Sequence, residues 1–268
     1  RFDVGDGGVL MAGCDGMGGA AAGEVASRLA VDTIGERFFA GGVPERPAHA
    51  LKDAIQAANQ AILSTASQEP RYAGMATTCT AAFILEGAAI LGHIGDCRAY
   101  LVEQGEIRRL THDHSAAAEM ARRGEPVPPN RPDLANTLTR WLGTEPIVEI
   151  DVHQPVPMPE GATLVLCSDG LLKVVEDDEI VRAVSLHLPG GACRKLVDLA
   201  RERGGPDNIT VQVARVVEDL VRQATLDHFA AARQHSVLGL QLAEFLGGQR
   251  LGEGDGQHRG QTFWNRGH

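Results

Sequence analysis

Apolar and polar positions change period several times along this chain, and each change marks an element. The run Val9-Leu-Met-Ala-Gly-Cys14 is continuously apolar and halts at Asp15-Gly16, as a buried strand entering a turn does. Over residues 23 to about 39, Val31, Ile34 and Phe38 recur at three- and four-residue steps, which predicts an amphipathic helix ended by Gly41-Gly-Val-Pro44. Leu51, Ile55, Ala58 and Ile62 predict a second helix by the same spacing. The period then shortens. Cys79–Leu85, Ala88–Ile94 and residues 98–102 are β-type runs separated by Glu-Gly, Gly-Asp and Gln-Gly turns, the pattern of an antiparallel meander. Residues 112–136 carry four prolines among charged residues and read as a long irregular surface segment with one helical turn over 116–122.

Residues 147–152 alternate and predict a strand, and Thr163–Cys167 is an apolar run that stops at Ser168-Asp169-Gly170. Asp177 is the expected cap of a helix carrying Ile180, Val181, Val184 and Leu188, and Leu196, Val197 and Ala200 define another that ends at Gly204-Gly205. Residues 208–217 form the last expected strand. Strands in adjacent groups and helices in pairs predict an α+β fold, with two packed, mostly antiparallel β-sheets flanked by helices, an α-β-β-α sandwich. The pattern makes residues 1–217 one domain. Residues 218–268 are expected to be a C-terminal tail, partly helical to about 246 and disordered in its Gly-rich, polar remainder.

Composition narrows the chemistry. The 268 residues include 25 Lys plus Arg against 35 Asp plus Glu, a net charge of -10, which argues against a grip on nucleic-acid phosphates and favours cations as partners. Five cysteines lie scattered with no Cys-x-x-Cys pair, so reduced thiols in a cytoplasmic protein are expected. The longest apolar runs fall far short of the roughly 18 residues that cross a bilayer, so no membrane association is expected.

Three aspartates stand where apolar strands stop or start: Asp15, Asp169 and Asp207, the last just before Asn-Ile-Thr-Val. Strand ends present side chains at a sheet rim, and Gly16 and Gly170 leave the neighbouring backbone free to turn toward a ligand. Carboxylates and carbonyls without His or Cys suit hard cations such as Mg²⁺ or Mn²⁺. Any one Asp-Gly or Asp-Asn pair is more simply a turn former; three in longer motifs are not.

Those motifs are Cys14-Asp-Gly-Met-Gly-Gly19, His93-Ile-Gly-Asp-Cys-Arg-Ala-Tyr100, Thr111-His-Asp-His-Ser115, Leu138-Thr-Arg-Trp-Leu-Gly143, Leu166-Cys-Ser-Asp-Gly-Leu171 and Gly205-Pro-Asp-Asn-Ile-Thr210. In order and spacing the chain resembles the bacterial metal-dependent Ser/Thr protein phosphatases, the type 2C or PPM family, over about residues 4–217. The resemblance implies hydrolysis of phosphoserine and phosphothreonine in proteins, Ser/Thr kinases and their substrates among the partners, and a cleft holding two core Mn²⁺ or Mg²⁺ ions with a weaker third. It implies Asp15 as the bridging and catalytic carboxylate and the Gly16 carbonyl as a ligand of the second metal. By the same resemblance Asp169 is catalytic and, with Asp207, binds the first metal. Asp96 helps hold the third, and residues 113 to about 136 form a flap beside the cleft. The family's upstream segment, with a phosphate-binding Arg and a further acidic ligand, is expected to precede Arg1, and low or no activity is expected without it. Asp3 and Asp6 are weak candidates to substitute. Met17 stands where many eukaryotic members carry a His able to act as general acid.

Rival readings fare less well. Gly16-Met-Gly-Gly-Ala-Ala21 fits a dinucleotide fingerprint, but Asp15 would repel a pyrophosphate and no acidic strand end follows about 20 residues on. A Cys-based phosphatase resembling the known ones would need Arg six residues after Cys, where this chain has Ala20, Leu85, Glu103, Lys173 and Leu199. His112 and His114 read as hydrogen-bonded or solvent-facing rather than ligands, Arg98 as a structural ion pair, and Arg122 and Arg123 as a solvated face. A phosphatase-like regulatory or binding module with little activity is the rival from another class; three retained carboxylates argue against it.

Overall fold

The computed structural model describes residues 1–5, 8–217 and 239–247. The first apolar run is a strand, β2 (Gly8–Gly13), paired antiparallel with β1 (Phe2–Gly5). A two-residue strand, β3 (Gly16–Met17), leads into helices α1 (Ala20–Phe38) and α2 (Pro47–Gln68). Then come β4 (Ala76–Thr77), which pairs with β3, and the meander β5 (Cys79–Leu85), β6 (Ala88–Ile94), β7 (Arg98–Glu103) and β8 (Glu106–Arg109). Helix α3 (Ala116–Arg122) lies in the Pro-rich segment, followed by β9 (Asp151–Val152), β10 (Val156–Pro157) and β11 (Thr163–Cys167). The described chain continues through α4 (Asp169–Leu172), α5 (Asp177–Leu186), α6 (Pro189–Glu202), β12 (Ile209–Val217) and β13 (Gly239–Gly247).

One sheet runs β1-β2-β5-β6-β10, with β9 also on β6; the other runs β13-β12-β11-β7-β8. Their inner faces share a core of Val9, Met11, Ile84, Leu91, Leu101, Leu164, Leu166 and Val216. Alternate residues face outward. Leu10 and Phe83 pack with Ile34, Phe38, Ile55 and Ile62 of α1 and α2, whereas Tyr100, Val165, Val211 and Val213 pack with Ile180 and Leu196 of α5 and α6. A strand covered on both faces has no polar side to show, so β2, β5 and β11 read as unbroken apolar runs. Each large aliphatic side chain buried this way contributes about 1.5–3 kcal/mol. The expected α-β-β-α sandwich is thus present.

Three details differ from expectation. The strand at 147–152 shrinks to Asp151–Val152, because residues 147–150 pair with no strand and Ile147 is 81 % exposed. The cap of α5 is Glu176 rather than Asp177, in a capping box with Glu179, and Leu188 lies past the helix end as the N-cap of α6. In the tail, residues 239–247 form not a helix but an edge strand, registered on β12 from Gly239↔Val217 to Gly247↔Ile209. A nine-residue strand such as β12 offers a row of unpaired backbone groups at its edge, and pairing satisfies them. The rest of the tail, residues 218–238 and 248–268, lies outside the described residues. Among the described residues no helix is long and apolar enough to cross a membrane.

Candidate metal centre

Both sheets send strand ends to one rim of the sandwich. From the first sheet, Asp15 follows β2, and its backbone is fixed on both sides: its carbonyl accepts from Thr78 N (2.9 Å) and Thr77 Oγ1 (2.7 Å), while its N–H donates to Thr78 Oγ1 (3.0 Å). Gly16 packs against the start of α1 so tightly that a Cβ there would lie 1.9 Å from the Gly23 carbonyl oxygen. Gly16 therefore has to be glycine for close approach, not for a left-handed turn. Asp96 comes from the same sheet, after β6, behind Gly95, whose φ of +113° favours glycine.

From the second sheet, Asp169 opens the short helix α4 directly after β11. Ser168 locks this junction to the start of β12, its Oγ donating to Asn208 O (3.1 Å) and accepting from Thr210 N (3.0 Å). A Cβ on Gly170 would lie 2.2 Å from that same Asn208 oxygen. The contact draws α4 against the 207–208 turn and so brings Asp169 beside Asp207. The Lys173 ammonium bridges them, 2.7 Å from Asp169 Oδ2 and 2.6 Å from Asp207 Oδ2.

The electrostatics follow from this convergence. Burial pushes the Asp15 carboxyl up to about 8, reinforced by the charge of Asp169, a hydrogen bond with it, and the charges of Asp207 and Asp96. Asp96 is pushed up to about 6 by burial, then by Asp169 and Asp113, against the pull of its own backbone hydrogen bond and of Lys173. Burial alone would raise Asp207, but the hydrogen bonds from Lys173 and the Asn208 N–H outweigh it and hold the carboxyl below its ordinary value. Among the described residues, no three His, Cys, Asp or Glu side chains are closed into a finished metal cage. The carboxylates face one another across a rim, short of positive charge, with an ammonium standing where a cation belongs. An oxygen-only donor set with a stand-in cation fits a hard divalent ion. Asp15, the Gly16 carbonyl, Asp169, Asp207 and Asp96 are the groups that could hold such ions.

Around this rim the Pro-rich segment is tied down at its entry. Arg98 on β7 makes a two-pronged pair with Asp113 (3.1 and 2.8 Å) and reaches Tyr100 Oη (3.2 Å), while Arg109 also contacts Asp113. Arg98 is thus a structural ion pair, as its sequence context suggests. His114 is buried, its Nδ1 accepting from Gly95 N (3.0 Å) and its Nε2 donating to Asp151 (3.1 Å); His112 is exposed. The buried ring of His93 pairs with Thr80 Oγ1 (2.9 Å) and the His112 carbonyl (3.0 Å). Of the two aspartates weighed as substitute ligands, Asp3 is instead ion-paired to Arg1 (2.9 Å), with its Oδ2 against Gly35 of α1, and Asp6 lies outside the described residues. Sequence reasoning missed Lys173, whose signal was its four-residue step from Asp169, and the Thr77-Thr78 clamp, which carries no local signal.

An α-β-β-α sandwich with oxygen donors from both sheets at one end defines the class. A family model described as protein phosphatase 2C matches residues 1–189, and the chain belongs to the protein phosphatase 2C family. It is similar to the serine/threonine protein phosphatase PstP of Mycobacterium tuberculosis, 36 % identical over 213 residues, which are 78 % of this chain and 40 % of that protein. The chain therefore spans less than half the length of that relative. It is also similar to the serine/threonine phosphatase stp of Listeria monocytogenes, 36 % identical over 204 residues that cover 74 % of this chain and 80 % of the relative. Among solved structures, the catalytic domain of PstP in complex with two manganese ions superposes with a TM-score of 0.70 at 35 % identity, over 81 % of this chain and 90 % of that one.

Proposed function

We propose that residues 1–217 are the catalytic domain of a metal-dependent protein serine/threonine phosphatase. Its core pair of Mn²⁺ or Mg²⁺ ions would be held by Asp15, the Gly16 carbonyl, Asp169 and Asp207, with Asp96 toward a weaker third. The observation that carries this reading is the meeting of Asp15 from one sheet with Asp169 and Asp207 from the other on a rim where the Lys173 ammonium offsets only part of the crowded negative charge. Relatives named as serine/threonine phosphatases, one of them with two manganese ions, support it. Bound ions of this kind make water acidic enough to attack at neutral pH and offset the phosphoryl charge.

The chain's own residues do the holding. Thr77 and Thr78 keep the Asp15 backbone from retreating, Gly170 keeps Asp169 against Asp207, and Arg98 with Asp113 anchors the flap beside the rim. A thiol nucleophile is disfavoured on physical grounds: burial pushes Cys167 up to about 12 and holds Cys97 above the usual thiol range, and Cys193 is packed in a helix core. Cys14, Cys79, Cys97 and Cys167 are free thiols, which supports a reducing, cytoplasmic setting, with phosphorylated proteins, including Ser/Thr kinases and their substrates, as partners. Hydrolysis of p-nitrophenyl phosphate and of a phosphothreonine peptide, with Mn²⁺ and after chelation, tests the reading. Asp169→Asn is expected to lower turnover at least about a hundredfold. Metal binding without turnover would favour the regulatory module instead, and turnover indifferent to Asp169→Asn would end the assignment.

A further inference from the structure

We propose that Lys173 is a built-in counter-cation that competes with a divalent ion for the Asp169 and Asp207 carboxylates and so sets the chain's metal affinity. The inference rests on the metal-centre reading above and concerns a residue outside the proposed ligand set. Lys173 follows Asp169 by one helical turn, the spacing at which two side chains share a helix face. It also reaches across 34 residues of sequence to Asp207. Its position is fixed from both sides: Leu171 and Val175 are buried at 0 % and 3 % exposure, and Gly170 is pressed on Asn208. The ammonium therefore cannot leave the rim except by swinging its own four-carbon stem, which is one-third exposed.

The competition is geometric. The ammonium occupies Oδ2 of both aspartates, and a hard divalent ion would need carboxylate oxygens at about 2.0–2.2 Å. An ion on those same oxygens would sit within about 4 Å of the ammonium, a repulsion that a half-exposed site screens only in part. Either the ammonium swings out, losing two charge-assisted hydrogen bonds, or it stays and repels the ion. Both lower the apparent affinity, as any rival state does when it must be vacated before binding. In exchange, the metal-free chain keeps two of its crowded carboxylates neutralised.

Calorimetric titration of Mn²⁺ into the parent chain, Lys173→Met, Lys173→Arg and Asp169→Asn tests this, together with thermal melting of each with Mn²⁺ and with chelator. Lys173→Met keeps the aliphatic stem and removes the charge. It is expected to bind Mn²⁺ about three- to tenfold more tightly, the range set by two partly exposed ion pairs, and to melt lower only when metal-free. Lys173→Arg is expected to keep the parent affinity. Equal Mn²⁺ affinity for the parent and Lys173→Met overturns the proposal, as does a loss of stability of the same size with and without metal. A parent chain that binds no Mn²⁺, with Asp169→Asn indistinguishable from it, overturns the metal-centre reading itself.

Discussion

At the scale of single residues, a buried polar group is tolerated most readily where its hydrogen bonds are complete. His93 is the clearest case, held without charge by a hydroxyl on one ring nitrogen and a carbonyl on the other; burial, then the neighbouring His114, pushes it down to about 3. The unfolded chain takes up a proton on this side chain as pH falls through about 6.5, whereas the folded chain does not. The stability His93 allows is therefore fully present above that value and is lost as pH drops toward 3, by about 1.4 kcal/mol per pH unit. Urea unfolding at pH 7 and pH 5 should show His93→Gln with a shallower pH slope than the parent; parallel slopes would refute this. His93 stood out in the sequence only as part of a longer motif. Asp15, Asp169 and Asp207 were far more legible, because each sits where an apolar run stops or starts, and burial patterns are written locally. Lys173 was hidden, since a cation one turn after an acid usually marks a solvated helix face.

Elements were legible in proportion to how locally they are determined. Strands β2, β5, β6 and β11 and helices α2 and α6 follow from a period and a stop signal a few residues apart. The edge strand β13 does not: what makes residues 239–247 extended is the open side of β12, more than twenty residues upstream. Alternation at 147–152 misled for the opposite reason, because most of it has no neighbouring strand to pair with. Glycine also changes meaning at this scale. Gly170 is required by a backbone-to-backbone contact between α4 and the turn before β12, so Gly170→Ala should push the carriers of Asp169 and Asp207 apart. A cost of about 1–3 kcal/mol is expected in chemical denaturation, with Mn²⁺ affinity falling more steeply than stability does. If affinity stayed at the parent value, the contact would not be what aligns the two aspartates.

At the scale of the whole molecule, the two sheets are joined by apolar burial and by a buried bond from Gln212 on β12 to the Ala12 carbonyl on β2 (3.0 Å). A divalent ion shared by Asp15, Asp169 and Asp207 would be a further tie across the same gap. Its stabilisation should follow mass action, about 2.7 kcal/mol at a hundred times the dissociation constant, and differential scanning calorimetry should show one transition rising with Mn²⁺. A metal that stabilised only part of the fold would split that transition and contradict a shared site. The Gln212 bond spans 200 residues, and the two ends it joins leave the ribosome far apart in time. At about 5–20 residues per second, Asp15 waits some ten seconds or more for Asp207. Until then β2 lacks its facing strand, and the nascent chain, however long its helices, has no rim on which carboxylates from the two sheets meet.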